Sequence, residues 1–253
     1  MKKKTIKRKW GWKPDIPDQR DFPISKLMKI VKKLPISVDL RSGCSPVEDQ
    51  GSLGSCTACA SAGLVEYLDL RRGLVSDASK LFIYYNARAL EGTVDYDSGA
   101  YLRDVIKTLV NNGACRESLW PYTISKFTEK PTASCYVEAL NHQVLGYYRI
   151  GTLTEMKSCL ASGLPFMFGF AVYESFLSDT VELTGKVPMP LKKERMIGGH
   201  AVMAVGYRDS DKRFIVRNSW GTGWGMEGYF TMPYAYLDSR KLSSDFWTIT
   251  KQE

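Results

Sequence analysis

From residue 144 onward the chain stops reading as helix and starts reading as sheet, and that change limits what it can fold into. Segments 144–150, 165–172, 200–208, 213–218 and 228–232 are rich in Val, Ile, Phe and Tyr and are separated by Gly or Pro, the pattern of short strands. One helix is expected among them at 154–161, with Thr154 as its cap. The first half has helical spacing instead. Leu64, Val65, Leu68 and Asp69 share a face over 56–72, Arg71 and Arg72 close that segment, and Gly73 follows it. Further helices are expected at 77–90, through Leu81, Phe82, Tyr85 and Leu90, and at 99–112, ending in Asn112-Gly113. Helices first and strands later imply an α+β architecture with two lobes. No repeat with a period of 20–50 residues is visible.

Composition sharpens this. Of 253 residues 44% are apolar, enough to bury a core without disulfide staples. Fourteen Tyr, ten Phe and six Trp exclude wholesale disorder, and no run of about 18 apolar residues suggests a membrane span. The formal charge of +8 invites a nucleic-acid reading. However, residues 1–33 hold 12 Lys/Arg against 3 Asp, and residues 34–253 hold 23 Lys/Arg against 24 Asp/Glu. The excess therefore belongs to an N-terminal extension, residues 1–34, and the body is nearly neutral. The basic start lacks the apolar stretch of a secretory signal and reads as a solvated tail, with a nucleic-acid or nuclear address as the second reading. Residues 10–23 (WGWKPDIPDQRDFP) hold three prolines and read as extended chain. Trp10, Trp12 and Phe22 are costly to leave in water, so this arm is expected to dock on the body. Residues 24–34 place Ile24, Leu27, Met28, Val31 and Leu34 at helical spacing, a docked helix or turn.

Six cysteines are present: Cys44, Cys56, Cys59, Cys115, Cys135 and Cys159. Cys56 and Cys59 form a CxxC. A zinc site needs more ligands than a chain with only His142 and His200 supplies, and a redox dithiol should follow a strand rather than a Gly/Ser loop. No metal and no cofactor are expected. Cys56 lies at a helix N-terminus after a glycine turn, where the macrodipole favours thiolate. His200 follows Gly198-Gly199 and opens an apolar strand, AVMAVGY. Asn218 begins NSWG at a strand end, where its amide can accept from one ring nitrogen. Singly, each has a bland structural explanation, and their order and spacing carry the weight.

QGSLGSC at 50–56, GGHAVMAVGY at 198–207 and NSWGTGWGMEGYF at 218–230 resemble the nucleophile, histidine and asparagine motifs of the papain family of cysteine peptidases. Cys56 and His200 are 144 residues apart, within the family's separation of about 130–150. The resemblance runs from about 35 to 250. It implies a papain-like two-lobe fold, with a helical lobe over about 42–135, a β-barrel-like lobe over about 136–250 and an active-site cleft between them. The resemblance makes Cys56 the nucleophile and His200 its base and later acid, the pair existing largely as thiolate and imidazolium near neutral pH. Asn218 orients His200, Trp220 shields that hydrogen bond, and Gln50 joins the Cys56 backbone N–H in an oxyanion hole. It also implies a backbone-binding wall at Ser98-Gly99. Tyr101, Gly169 and Gly199 surround a pocket for the second residue before the scissile bond, with Asp245 or Ser244 at its floor. Such a pocket accepts large apolar or aromatic side chains, and basic ones if Asp245 points in.

The family's usual cysteine three residues before the nucleophile is Leu53 here, and its partner position falls near Tyr96. The loss of both suits a reducing compartment. The expected activity is endopeptidase, with a catalytically silent protein-binding module as the alternative. The insert at 173–197 is placed to narrow one end of the cleft. GWKPDIPDQRD resembles an arm on some bacterial and large-virus relatives, and 10–34 is expected to contact the catalytic domain, 35–253, as a possible prosegment. Protein or peptide substrates, a monomer, no membrane span, nucleic-acid contact limited to the basic tail, and an intracellular or virion-associated setting complete the expectations.

Overall fold

The computed structural model describes residues 8–30, 33–74 and 76–251. The basic stretch 1–7 and Val31 lie outside the described residues. The arm contributes strand β1 (Trp12–Lys13) and a single 3-10 turn at Ile24–Lys26, so the expected 24–34 element begins as a turn, with Ile24 fully buried beneath it. Strand β2 (Ser37–Asp39) follows. Helix α1 (Cys56–Arg71) is buried from Cys56 through Asp69. A helix covered all round is a core helix, and its small residues permit that. At Gly63 an added Cβ would stand 3.3 Å from the Arg217 guanidinium carbon.

Helix α2 (Lys80–Leu90) starts three residues later than the periodicity suggests. Ala78 bridges to Arg116 in extended chain, and the Ser79 hydroxyl caps the helix by accepting from Phe82 N. Strand β3 (Ala100–Tyr101) takes the first positions expected of the next helix, leaving α3 as Leu102–Asn111. Helix α4 (Ala133–Ala139) and strand β4 (Gly146–Arg149) lead to α5 (Leu153–Ala161). Thr152, not Thr154, caps α5. Its hydroxyl accepts from Glu155 N while the Glu155 carboxylate accepts from Thr152 N, a reciprocal capping box.

The remaining strands are β5 (Phe166–Tyr173), β6 (Met196–Arg208), β7 (Arg213–Arg217), β8 (Tyr229–Pro233) and β9 (Ser243–Thr250). Short helices α6 (Asp179–Thr184) and α7 (Tyr234–Asp238) lie between them. Strands β4-β9-β5-β6-β7-β8 form a sheet in that order, with β2 added on β6, and every pairing in it is antiparallel.

Strand alternation divides the core. Met167, Ala201, Met203, Val205, Ile215 and Trp247 join the cluster built by α1, α2 and α3. Phe166, Phe168, Phe170, Val202, Ala204 and Phe214 face an aromatic core on the other side of the sheet. Helical layer and antiparallel sheet together make the α+β two-lobe fold expected, and the strand register places His200 opposite Phe170. None of the described helices is long and apolar enough to cross a membrane. Replacing Thr152 by Ala is expected to cost about 1 kcal/mol of stability, read from urea unfolding midpoints, whereas Thr154→Ala should cost much less.

Candidate active site

Cys56 begins α1, and the helix end meets the middle of the sheet. Ala201 N–H points at Cys56 Sγ at 3.4 Å, so the residue after His200 touches the thiol directly. His200 Nε2 lies 2.8 Å from Asn218 Oδ1. The amide oxygen can only accept, which puts the ring proton on Nε2 and leaves Nδ1 as the basic nitrogen. Nδ1 is buried without a hydrogen-bond partner. Trp220 lies over the imidazole, with ring centroids 5.2 Å apart. Phe176, from the 173–197 insert, packs edge-on against Trp220 at 5.4 Å.

Gln50 is fully buried. Its Oε1 accepts from Ser219 Oγ at 2.7 Å, and its Nε2 donates to Leu53 O at 2.9 Å and reaches Lys9 O at 3.4 Å. The structure thus brings Gln50, Cys56, His200 and Asn218 into one cluster. It adds Ser219, which nothing in the sequence singled out beyond its place in NSWG.

The arm runs through this cluster. Arg8 pairs with Asp49, donates to Trp220 O at 3.3 Å and lies over the Trp220 ring. Trp10 stands edge-on to His200, centroids 6.1 Å apart, and covers Gly198 so closely that a Cβ there would meet the indole at 2.3 Å. Gly11 passes between Gly54 and Gly99, and its backbone amide is among those that favour negative charge on the Cys56 sulfur. Gly11 O accepts from Ala100 N at 2.8 Å, and β1 continues parallel to β3. Gly99, at φ +70°, admits this approach because a Cβ would lie 2.3 Å from Gly11 O.

Trp12 then fills the expected pocket. Cβ atoms added at Gly169 and Gly199 would lie 1.9 and 2.7 Å from its indole. Its Nε1 donates to Asp245 Oδ2 at 3.0 Å. Of the two floor candidates it is therefore Asp245 that points in, carried by a left-handed residue (φ +58°) where β9 slips register against β5. Ser244 pairs with Gly169 in the sheet. Tyr101 stands under the Lys13 ammonium, 4.7 Å from its ring centroid. The Ser98 hydroxyl is bonded to Thr93 Oγ1 and Gly99 O.

Behind the pocket lies an ionic cluster that sequence reading missed. Arg149 holds Asp245 Oδ1 at 2.9 Å and Asp15 Oδ2 at 3.3 Å. Asp15 N donates to Asp245 Oδ2 at 2.8 Å. The Asp15 carboxylate accepts from Trp247 Nε1 and Arg103 N, and Arg103 pairs with Asp21. Arg149 sits in a strand-like run with nothing local to mark it. Only the fold brings it beside two carboxylates far away in sequence.

Burial acts on the charge state of both groups. It pushes the Cys56 thiol up to about 11. It also pulls the His200 imidazole down to about 4, with the nearby Arg8 cation adding to the effect. Both shifts favour the neutral thiol and imidazole over a thiolate–imidazolium pair while the site is covered. The ions have lost water without gaining each other.

The chain matches the family described as "Papain family cysteine protease" over residues 34–245. It is 40% identical to the peptidase C1-like protein L477 of Acanthamoeba polyphaga mimivirus, over 98% of this chain and 89% of that protein. It is 30% identical to cysteine proteinase 3 of Entamoeba histolytica over 82% of this chain, but spans only 66% of that longer protein. The solved structure of xylellain, a cysteine protease from Xylella fastidiosa, superposes with a TM-score of 0.89 at 40% identity, covering 96% of each chain. The chain belongs to the papain family of cysteine proteases and is a peptide hydrolase of that family. Its near relatives include bacterial and large-virus members.

Two titrations act on the docked arm in opposite senses. Burial first, and then the facing Asp245, raises Asp15 to about 6. The docked state therefore holds that proton more tightly than a free arm would. This group favours docking on the acid side, and its contribution is lost as pH rises through about 6. The depressed value of His200 means that acid below its ordinary range, about 6.5, favours an uncovered site. Asp15→Asn removes the first effect and keeps the second. From pH 7 down to 4.5 the variant's arm should loosen by roughly ten- to a hundredfold more than the wild type's, followed by tryptophan fluorescence. Parallel pH curves would contradict this assignment.

Proposed function

We propose that this chain is a cysteine endopeptidase whose residues 1–34 form an extension that holds the catalytic domain, 35–253, latent. The single observation that carries the catalytic reading is the hydrogen bond from His200 Nε2 to Asn218 Oδ1. It fixes the tautomer and leaves Nδ1 to take the thiol proton. Once the arm leaves, water and substrate reach the pair, and the loss of desolvation lets Cys56 transfer its proton to His200. The thiolate attacks the scissile carbonyl carbon, forming a C–S bond. The oxygen takes the negative charge and is stabilised by Gln50 Nε2 and Cys56 N–H. Collapse breaks the C–N bond, and His200 delivers its proton to the departing amine. Water, deprotonated by His200, then hydrolyses the thioester and regenerates the thiol.

Two features support latency. The arm carbonyl within reach of Gln50 Nε2 is Lys9 O, and the residue in the pocket, Trp12, comes after it in sequence. A substrate would place the pocket residue before the scissile carbonyl, so the arm lies with reversed polarity. The arm residue whose backbone amide acts on the sulfur is Gly11. The arm thus occupies the cleft in an order that acylation cannot use.

Trp12 also supports a preference for aromatic substrate side chains in the same pocket. Asp245 offers an acceptor there, while Arg149 already offsets its charge and so reduces the attraction for a basic side chain. Protein or peptide substrates, a monomeric state and an intracellular or virion-associated setting complete the proposal.

The test compares full-length wild type, Trp10→Ala/Trp12→Ala and Cys56→Ala on a quenched fluorogenic peptide library. The double variant should cleave at least tenfold faster than wild type, and Cys56→Ala should abolish cleavage in either background. Equal rates in wild type and the double variant would remove the latency. Absence of turnover in both would favour the silent binding module. Alkylation by iodoacetamide at pH 7.5 should likewise be slow at Cys56 in wild type and fast in the double variant.

A further inference from the structure

We infer that Tyr122 is a positioning residue that sets the spacing of the oxyanion hole, through one hydroxyl shared by the two segments that carry its donors. This rests on the peptidase reading above.

The two donors, the Gln50 side chain and the Cys56 backbone N–H, sit at the ends of a turn, Gly51–Ser55. Gly51 is left-handed (φ +60°), and Gly54 is the second glycine of the turn. A turn of this composition has little stiffness of its own. Across it stands Tyr122, from the loop between α3 and α4. Its hydroxyl donates to Gln50 O at 3.0 Å and is in hydrogen-bond contact with Ser55 Oγ. A phenol has one proton and a carbonyl only accepts, so the Ser55 hydroxyl donates to Tyr122 Oη. The chain Ser55 Oγ–H to Tyr122 Oη–H to Gln50 O ties the two ends together, and such chains strengthen each member.

Ser55 supplies an independent sign. It is the N-cap residue of α1 and fully buried, yet its side chain makes no capping hydrogen bond. A serine at this position normally caps the helix. Here the hydroxyl is turned to Tyr122, immediately beside the peptide whose N–H forms half of the hole.

Tyr122 is held firmly. Its N–H donates to the Glu117 carboxylate, which pairs with the buried Lys80 ammonium at 3.0 Å. Two residues earlier, Trp120 O accepts from the Ser79 hydroxyl that caps α2. The helical lobe thereby fixes the phenol, and the phenol fixes the turn. Ser219 orients the Gln50 side chain from the sheet side, so the hole is gauged from both lobes.

The test uses Tyr122→Phe in the full-length Trp10→Ala/Trp12→Ala chain. Turnover should fall roughly ten- to a hundredfold with KM within about twofold of the parent, as expected for a misplaced transition-state donor. Affinity for a peptide aldehyde, whose tetrahedral adduct uses the hole, should fall by the same factor. Alkylation of Cys56 by iodoacetamide, which forms no oxyanion, should stay within about twofold of the parent. Ser55→Ala should reproduce the pattern, and the double substitution should lose little more than either single one. Unchanged turnover and aldehyde affinity in Tyr122→Phe and Ser55→Ala would overturn the inference. So would a loss of alkylation rate in parallel with turnover, which would mark general disruption. A parent chain without turnover would instead defeat the peptidase reading itself.

Discussion

The approach of the first turn of α1 to the middle of β6 is the constraint on which the rest depends. Ala201 N–H against Cys56 Sγ requires a helix to lie end-on to a sheet with almost nothing between them. The sequence meets that demand with Thr57, Ala58, Cys59, Ala60, Ser61, Ala62 and Gly63, all small and all buried. Larger residues would push the helix off the sheet and carry the sulfur away from the imidazole. Strand alternation does the complementary work. Ala201 faces the helical cluster, while the His200 ring turns into aromatic company with Phe170, Phe176 and Trp220. Neither lobe alone contains the site.

The same closeness makes the site sensitive to what lies on top of it. With Trp10, Gly11 and Trp12 in place, Cys56 and His200 are shut away from solvent, and both resist charging. In the proposed latent form the arm acts on the dyad twice, by occupying space and by removing the water that an ion pair needs. Arg8, lying over Trp220 near the imidazole, works in the same direction.

How much was legible beforehand follows from how local each signal is. The nucleophile turn, the glycine pair before His200 and the NSWG stretch are contiguous strings whose chemistry is written in adjacent residues, and the structure brings them together. The helices around them follow from period and punctuation, with errors at the ends. At 77–79 a bridge to Arg116 overrides helical spacing, and at α5 a capping box two residues upstream outcompetes Thr154. What stayed hidden was long-range. β9 is polar at its start, and its bulge swings Asp245 rather than Ser244 into the pocket. Arg149 and Tyr122 sit in unremarkable sequence, and they and Asp15 acquire their roles only from partners far along the chain. The docking of the arm was foreseeable from its tryptophans. Its path and direction were not, because three glycines from distant segments (Gly11, Gly54 and Gly99) create the slot it uses.

One consequence lies in the arm's being part of the chain it covers. Past Ile24–Lys26 the arm's backbone continues into β2, itself a strand of the sheet through its pairing with β6. An occupant tethered in this way is present at an effective concentration in the millimolar range for a short connection, however dilute the protein. Contacts that would be weak in a free peptide then suffice to keep the cleft filled. In the proposed latent form a single cut between Lys26 and Ser37 would change the order of the reaction: rebinding would depend on how many arms are in solution, and dilution alone would begin to empty the site.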